Sequence, residues 1–111
     1  MKSLCYLILA HNNLDYVADK IKSLSSDNVG FIVHIDTKCN ESLKPIEDIS
    51  NRKNVKVLEY REDIIWDGKS MVDIVNRMSR AALDDSRKND YFILLSGQDM
   101  PVKSPEYILN Y

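Results

Sequence analysis

Two short apolar runs in this sequence lead into carboxylates. Phe31-Ile-Val-His-Ile35 runs directly into Asp36, and Tyr91-Phe-Ile-Leu-Leu95 reaches Asp99 through Ser96-Gly97-Gln98. A carboxylate so placed can accept charge-assisted hydrogen bonds from hydroxyls, ligate a divalent cation beside other oxygens, or act as a base. The cation reading lacks a motif. Gly97 and Pro101 occupy the positions two residues either side of Asp99, so no paired-aspartate motif is present, and Asp36 could join Asp99 only through folding. His11, His34, Cys5 and Cys39 have no metal-ligand spacing. Ser96 lacks the glycine two residues earlier that a nucleophile elbow requires, Leu94 standing there instead. The three glycines, Gly30, Gly68 and Gly97, lie too far apart for a dinucleotide fingerprint. Gly68-Lys69-Ser70 lacks the earlier glycine of a phosphate loop, where Asp63 stands. A phosphoacceptor receiver is disfavoured by His11-Asn12-Asn13 and Glu59-Tyr60 at the expected acidic positions. Two readings of Asp99 remain open: a ligand contact, or a turn residue satisfying local amides beside the bend at Gly97.

These residues need elements to hold them. Leu4 to Ala10 is a first strand of continuous apolar character, as expected for a strand buried on both faces of a parallel sheet. His11-Asn12-Asn13 ends it and offers helix caps. Leu14, Val17, Ala18, Ile21 and Leu24 recur at helical spacing. Val29 to Asp36 holds the second strand, with His34 read as a packed neutral imidazole. Leu43, Ile46 and Ile49 around Pro45 suggest a short helix with proline in its first turn. Val55 to Leu58 is a third strand, and 59–70 is irregular. A helix capped by Ser70 follows through Met71, Val72, Ile74, Val75, Met78, Ala81 and Ala82. Its methionines are read as core filler. Tyr91 to Leu95 reads as a fourth strand buried on both faces, and Ser104-Pro105-Glu106 as another helix start.

The alternation predicts an α/β fold, a three-layer α/β/α arrangement on an open, mostly parallel sheet with right-handed crossovers. In such sheets ligands bind outside the carboxyl ends of the strands, where Asp36 and Ser96 to Asp99 fall. The 111 residues support one domain. With 44% hydrophobic and 29% charged residues, the composition is that of a globular protein. A net charge of -2 argues against a nucleic-acid surface. No stretch is long enough to span a bilayer, and the apolar N-terminus is read as a strand rather than a signal peptide. Two cysteines without Cys-x-x-Cys spacing suggest a reducing compartment.

Four blocks together resemble the core-2/I-branching enzyme family of β-glycosyltransferases, which includes peptide O-xylosyltransferases. They are Tyr6-Leu-Ile-Leu-Ala-His11, His34-Ile-Asp36-Thr-Lys38, Ile65-Trp-Asp-Gly-Lys-Ser70 and Leu94-Leu-Ser-Gly-Gln-Asp-Met-Pro-Val-Lys-Ser104. The last is the most specific. The resemblance covers the whole chain but only the first part of a family member. It implies a fold similar to the N-terminal nucleotide-binding half of a GT-A-type glycosyltransferase, and transfer of a sugar such as GlcNAc or xylose from a UDP-sugar with inversion. It also implies no metal cofactor, later basic side chains offsetting the diphosphate charge.

Carried onto this sequence, the resemblance places Ala10, His11 and Asp36 around the uridine and ribose. Arg61 and Trp66 would flank the nucleotide, and Ser96, Gly97, Gln98 and Asp99 would lie beneath the sugar diphosphate. Asp67 replaces a glycine common in the family. No glutamate here matches the family's catalytic base, which is expected beyond Tyr111. The chain therefore reads as a single donor-binding domain over 1–111, truncated within its last helix and inactive alone. Implied partners are the UDP-sugar and a glycan or polysaccharide acceptor. A homo-oligomer could form through an exposed sheet edge or apolar surface. The alternative is a non-catalytic nucleotide-binding or assembly module with a Rossmann-like fold. Eukaryotic relatives are membrane-anchored, so the resemblance also suggests membrane association; a cytoplasmic bacterial protein, peripheral to the inner face of the membrane, is the expected setting.

Overall fold

A computed structural model describes residues 3–61, 63–64, 69–84 and 91–96. In chain order they form β1 (Leu4–Ala10), α1 (Leu14–Leu24), β2 (Val29–Ile35), α2 (Lys44–Glu47), β3 (Val55–Val57), α3 (Lys69–Asp84) and β4 (Tyr91–Ser96). The strands make one sheet in the order β3-β2-β1-β4, and every pairing is parallel. β1 and β2 are central. They run in register from Leu4 opposite Val29 to Ala10 opposite Ile35, and all seven residues of each are buried. That two-sided burial explains why their sequences are apolar, His34 apart, rather than alternating.

Side-chain parity divides the core into two layers. Leu4, Tyr6, Ile8 and Ala10 of β1 join Phe31, Val33 and Ile35 of β2 beneath α1 and α2, whose Leu14, Val17, Ile21 and Ile46 are buried against them. Tyr6 and Phe31 stack there with ring centroids 5.6 Å apart. Cys5, Leu7, Leu9 and Ile32 point the other way, into a layer closed by Ile74, Met78 and Ala82 of α3. Burying each large aliphatic chain contributes about 1.5–3 kcal/mol. The protein is thus an α/β/α sandwich with the expected parallel sheet. Met78 is fully buried core, as its helical spacing suggested.

Several local expectations need correction. β4 is not buried on both faces: Tyr91, Phe92 and Leu94 are 42%, 41% and 43% exposed. The reason is position, because β4 lies at the end of the strand order while α3 packs over β1 and β2. α3 begins at Lys69, so Ser70 lies within its first turn rather than capping it. Asn13 stands at the N-cap of α1 in the left-handed conformation, φ 53° and ψ 46°, and its side chain makes no capping hydrogen bond. Glu41 takes that role from the loop after β2, accepting hydrogen bonds from the Asn13 amide at 2.9 Å and the Leu14 amide at 3.2 Å. A carboxylate there also complements the positive end of the helix dipole.

The membrane expectation is corrected as to a spanning helix. Among the described residues no helix is long and apolar enough to cross a membrane; α1 and α3 have 11 and 16 residues, against about 20 for a span. The expected helix start at Ser104 lies outside the described residues.

Candidate functional site

The strand order reverses around β1. From β1 the chain steps outward to β2 and then β3, and afterwards crosses back so that β4 pairs with the other side of β1. Such a reversal parts the loops leaving adjacent strands and opens a crevice at their carboxyl ends. Three sequence-derived site positions meet near this edge. Ala10 ends β1, His11 follows it exposed, and Asp36 follows β2 with its amide donating to the Ala10 carbonyl at 2.8 Å. Leu9, Ala10, His11, Asp36, Lys38 and Ile64 line a pocket of about 130 Å³. Ser96, the last residue of β4, is paired with Leu9 across the other side of β1.

Asp36 is 5% exposed and dictates the local geometry. Its Oδ1 accepts from the Lys38 amide at 2.8 Å, the i to i+2 contact of an Asx turn. Its Oδ2 accepts from the Ile64 amide at 3.1 Å and the Lys38 ammonium at 3.1 Å. Burial opposes its charge, but the Lys38 and Ile64 amides and the Lys38 ammonium outweigh that, holding the carboxyl below the usual carboxylate range. Lys38 Nζ also donates to Asp63 and to the Ile64 carbonyl. The Asp63 hydrogen bond, opposed by some desolvation and aided by Asp36, raises the lysine's pKa. Ile64 completes the latch, its side chain packing in the layer beneath α3. Residues 63–64 are therefore tied to the end of β2 by a charged clasp on one side and an apolar anchor on the other.

Arg61 is anchored to the backbone at the end of β2. Its Nε donates to the Ile35 carbonyl at 2.9 Å and its Nη2 to the Asp36 carbonyl at 2.8 Å. It lines a separate groove with Leu43, Ile46, Val57 and Glu59, so the structure does not bring it to the wall shared by Ala10 and His11. His34 is fully buried; desolvation lowers its pKa, Asp36 raising it and Arg61 lowering it further. That favours the neutral imidazole expected from its place inside a strand. Trp66, Gly97, Gln98 and Asp99 lie outside the described residues. Sequence reasoning missed Lys38 and Ile64 as pocket residues, although the Asp-x-Lys spacing after a strand was a readable sign of the turn.

Among the described residues no three His, Cys, Asp or Glu side chains converge as metal ligands would. The pocket offers strand-end backbone, an exposed imidazole and a carboxylate held charged by amides. That set suits a ligand presenting hydroxyls and a flat polar ring.

Residues 4–111 match the family model of the core-2/I-branching enzyme. The chain belongs to that family. Among its relatives, a xylosyltransferase of Ciona intestinalis is 24% identical over 110 residues, covering 97% of this chain and 13% of the relative. Xylosyltransferase 2 of Mus musculus is 23% identical over 109 residues, covering 96% and 13%. The chain thus spans about 13% of the length of these curated relatives. As a core-2/I-branching member it carries the expected parallel α/β sandwich, consistent with a Rossmann-like or GT-A-type fold.

Proposed function

We propose that this chain is the donor-nucleotide part of a core-2/I-branching glycosyltransferase, which moves a sugar such as GlcNAc or xylose from a UDP-sugar to a glycan or polysaccharide acceptor, with inversion and without a metal ion. The observation that carries the reading is the pocket at the ends of β1 and β2, where Ala10, His11 and Asp36 meet beside the reversal in strand order. Ribose hydroxyls suit the remaining acceptor capacity of Asp36. The names of both relatives favour a xylosyl donor.

The described residues fit binding better than turnover. Glu41, the acid closest in sequence to the pocket residues Asp36 and Lys38, is engaged in capping α1, and Glu47 and Glu59 line the groove beside Arg61. The isolated 111-residue chain is accordingly proposed to bind donor without transferring it. Calorimetric titration with UDP tests this: wild type binds UDP saturably, chelator leaves the affinity unchanged, and His11→Ala, altering an exposed side chain, weakens binding at this pocket about tenfold, the loss of roughly 1.4 kcal/mol. Absence of UDP binding would contradict the donor reading, and robust UDP-sugar hydrolysis by this chain would contradict its inactivity.

A second reading, an assembly module, has one observation in its favour: the half-exposed Phe92 and Leu94 on β4. Sedimentation across a dilution series tests it, and a monomer at every concentration counts against it.

A further inference from the structure

A second groove lies on the α3 side of the sheet, away from the pocket at Asp36. Lys56 pairs with Ile32, whose side chain belongs to the layer beneath α3, so Lys56, Leu58 and Tyr60 of like parity face α3 along the edge of β3 and just beyond it. From α3, Asp73, Arg77 and Arg80 stand at i, i+4 and i+7 and present one stripe toward that edge. These six residues line a groove of about 610 Å³, against about 130 Å³ for the pocket at Asp36. Its size suits a small organic ligand.

Three cations face one carboxylate there, in a chain whose net charge is -2. Among the described residues none of the three is in an ion pair. Arg77 instead rests over the Tyr60 ring, its guanidinium carbon 3.9 Å from the centroid. A guanidinium held over an aromatic face keeps N–H groups able to grip a tetrahedral oxyanion with two parallel hydrogen bonds. Arg80 lies one turn further on, about 4.5 Å along the helix axis. Two guanidinium groups at that spacing, with Lys56 opposite, match neighbouring anionic groups on one chain. Asp73 repels a further anion at the N-terminal end of the stripe.

We propose that this groove is a binding site for a ligand carrying two or more consecutive phosphoryl groups, distinct from the pocket at Asp36. Arg77 holds one phosphoryl group, and Arg80 and Lys56 hold the next, over the apolar floor of Leu58 and Ala81.

The test is calorimetry of the full chain at low salt, with tripolyphosphate and with inorganic phosphate as probes. One saturable tripolyphosphate site is expected, at least about tenfold tighter than inorganic phosphate, a difference worth 1.4 kcal/mol. Arg77→Ala with Arg80→Ala abolishes it, Arg77→Lys weakens it severalfold by removing the paired hydrogen bonds while keeping the charge, and His11→Ala leaves it intact. Both arginines are exposed, so circular dichroism should match wild type. Equal affinity for inorganic phosphate, survival of binding in the double variant, or its loss in His11→Ala would each overturn the proposal. Loss of UDP binding alone would instead bear on the donor site.

Discussion

At the end of β2 the two carboxylate oxygens of Asp36 accept three hydrogen bonds, from the Lys38 amide and ammonium and from the Ile64 amide. The same group thus shapes the pocket wall and faces the pocket. Replacing it separates these roles. In Asp36→Ala the Ile64 amide loses its acceptor, and removing one partner of such a charged hydrogen bond costs about 1–3 kcal/mol locally. Native-state hydrogen exchange should therefore accelerate at Ile64 by at least about tenfold, while amides in the centre of β1 stay protected. Unchanged exchange at Ile64 would mean that the clasp does not hold residues 63–64. Lys38→Met should give a smaller acceleration, since the backbone donors to Asp36 remain.

At the scale of elements, α1 depends on a residue far away in sequence. Glu41 caps it from 27 and 28 residues downstream, so Glu41→Ala should lower stability by about 1 kcal/mol, as loss of an N-cap does, whereas Glu41→Gln should retain most of it. Chemical denaturation measures both. Asn13, with φ at 53°, should tolerate glycine and lose about 1–2 kcal/mol on replacement by valine, whose branched Cβ is poorly accommodated in that conformation. Much of this level was readable beforehand. Buried strands announced themselves by uninterrupted apolar runs, and α1 and α3 by the spacing of Leu14, Val17 and Ile21 and of Ile74 and Met78, because periodicity reports burial directly. The cap was not readable, because a polar cluster at 11–13 satisfies the local rule and nothing local reveals that Glu41 folds back to it. Nor was the exposure of β4, since an apolar run is the same whether a helix covers it or not. Lys38 was visible as Asp-x-Lys, but its reach to Asp63 and Ile64 depends on a loop brought back by the β2–β3 pairing.

For the whole molecule, acid should act in two steps of the same sign. His34 has a folded pKa below its usual 6.5, so the unfolded chain binds the proton first and stability declines as pH falls below about 6.5. Asp36, held below its usual 3.8, contributes stability above that value, which is lost as pH falls through its folded pKa. Urea midpoints measured from neutral to acid pH should show both declines, and His34→Phe should flatten the first, at some cost in packing. The two grooves also give the molecule two ligand-facing regions, one at the carboxyl ends of β1 and β2 and one between β3 and α3, and a residue-resolved measurement tells them apart. Amide chemical-shift mapping during titration with UDP tests the donor-site reading most directly. It should produce saturable shifts at Ala10, His11, Lys38 and Ile64 that weaken in His11→Ala, separable from any at Tyr60 and Arg77, where the diphosphate can also engage the second groove and which His11→Ala leaves in place. Shifts confined to Tyr60, Arg77 and Arg80, or none at saturating UDP, would contradict the assignment of the donor nucleotide to the Asp36 pocket.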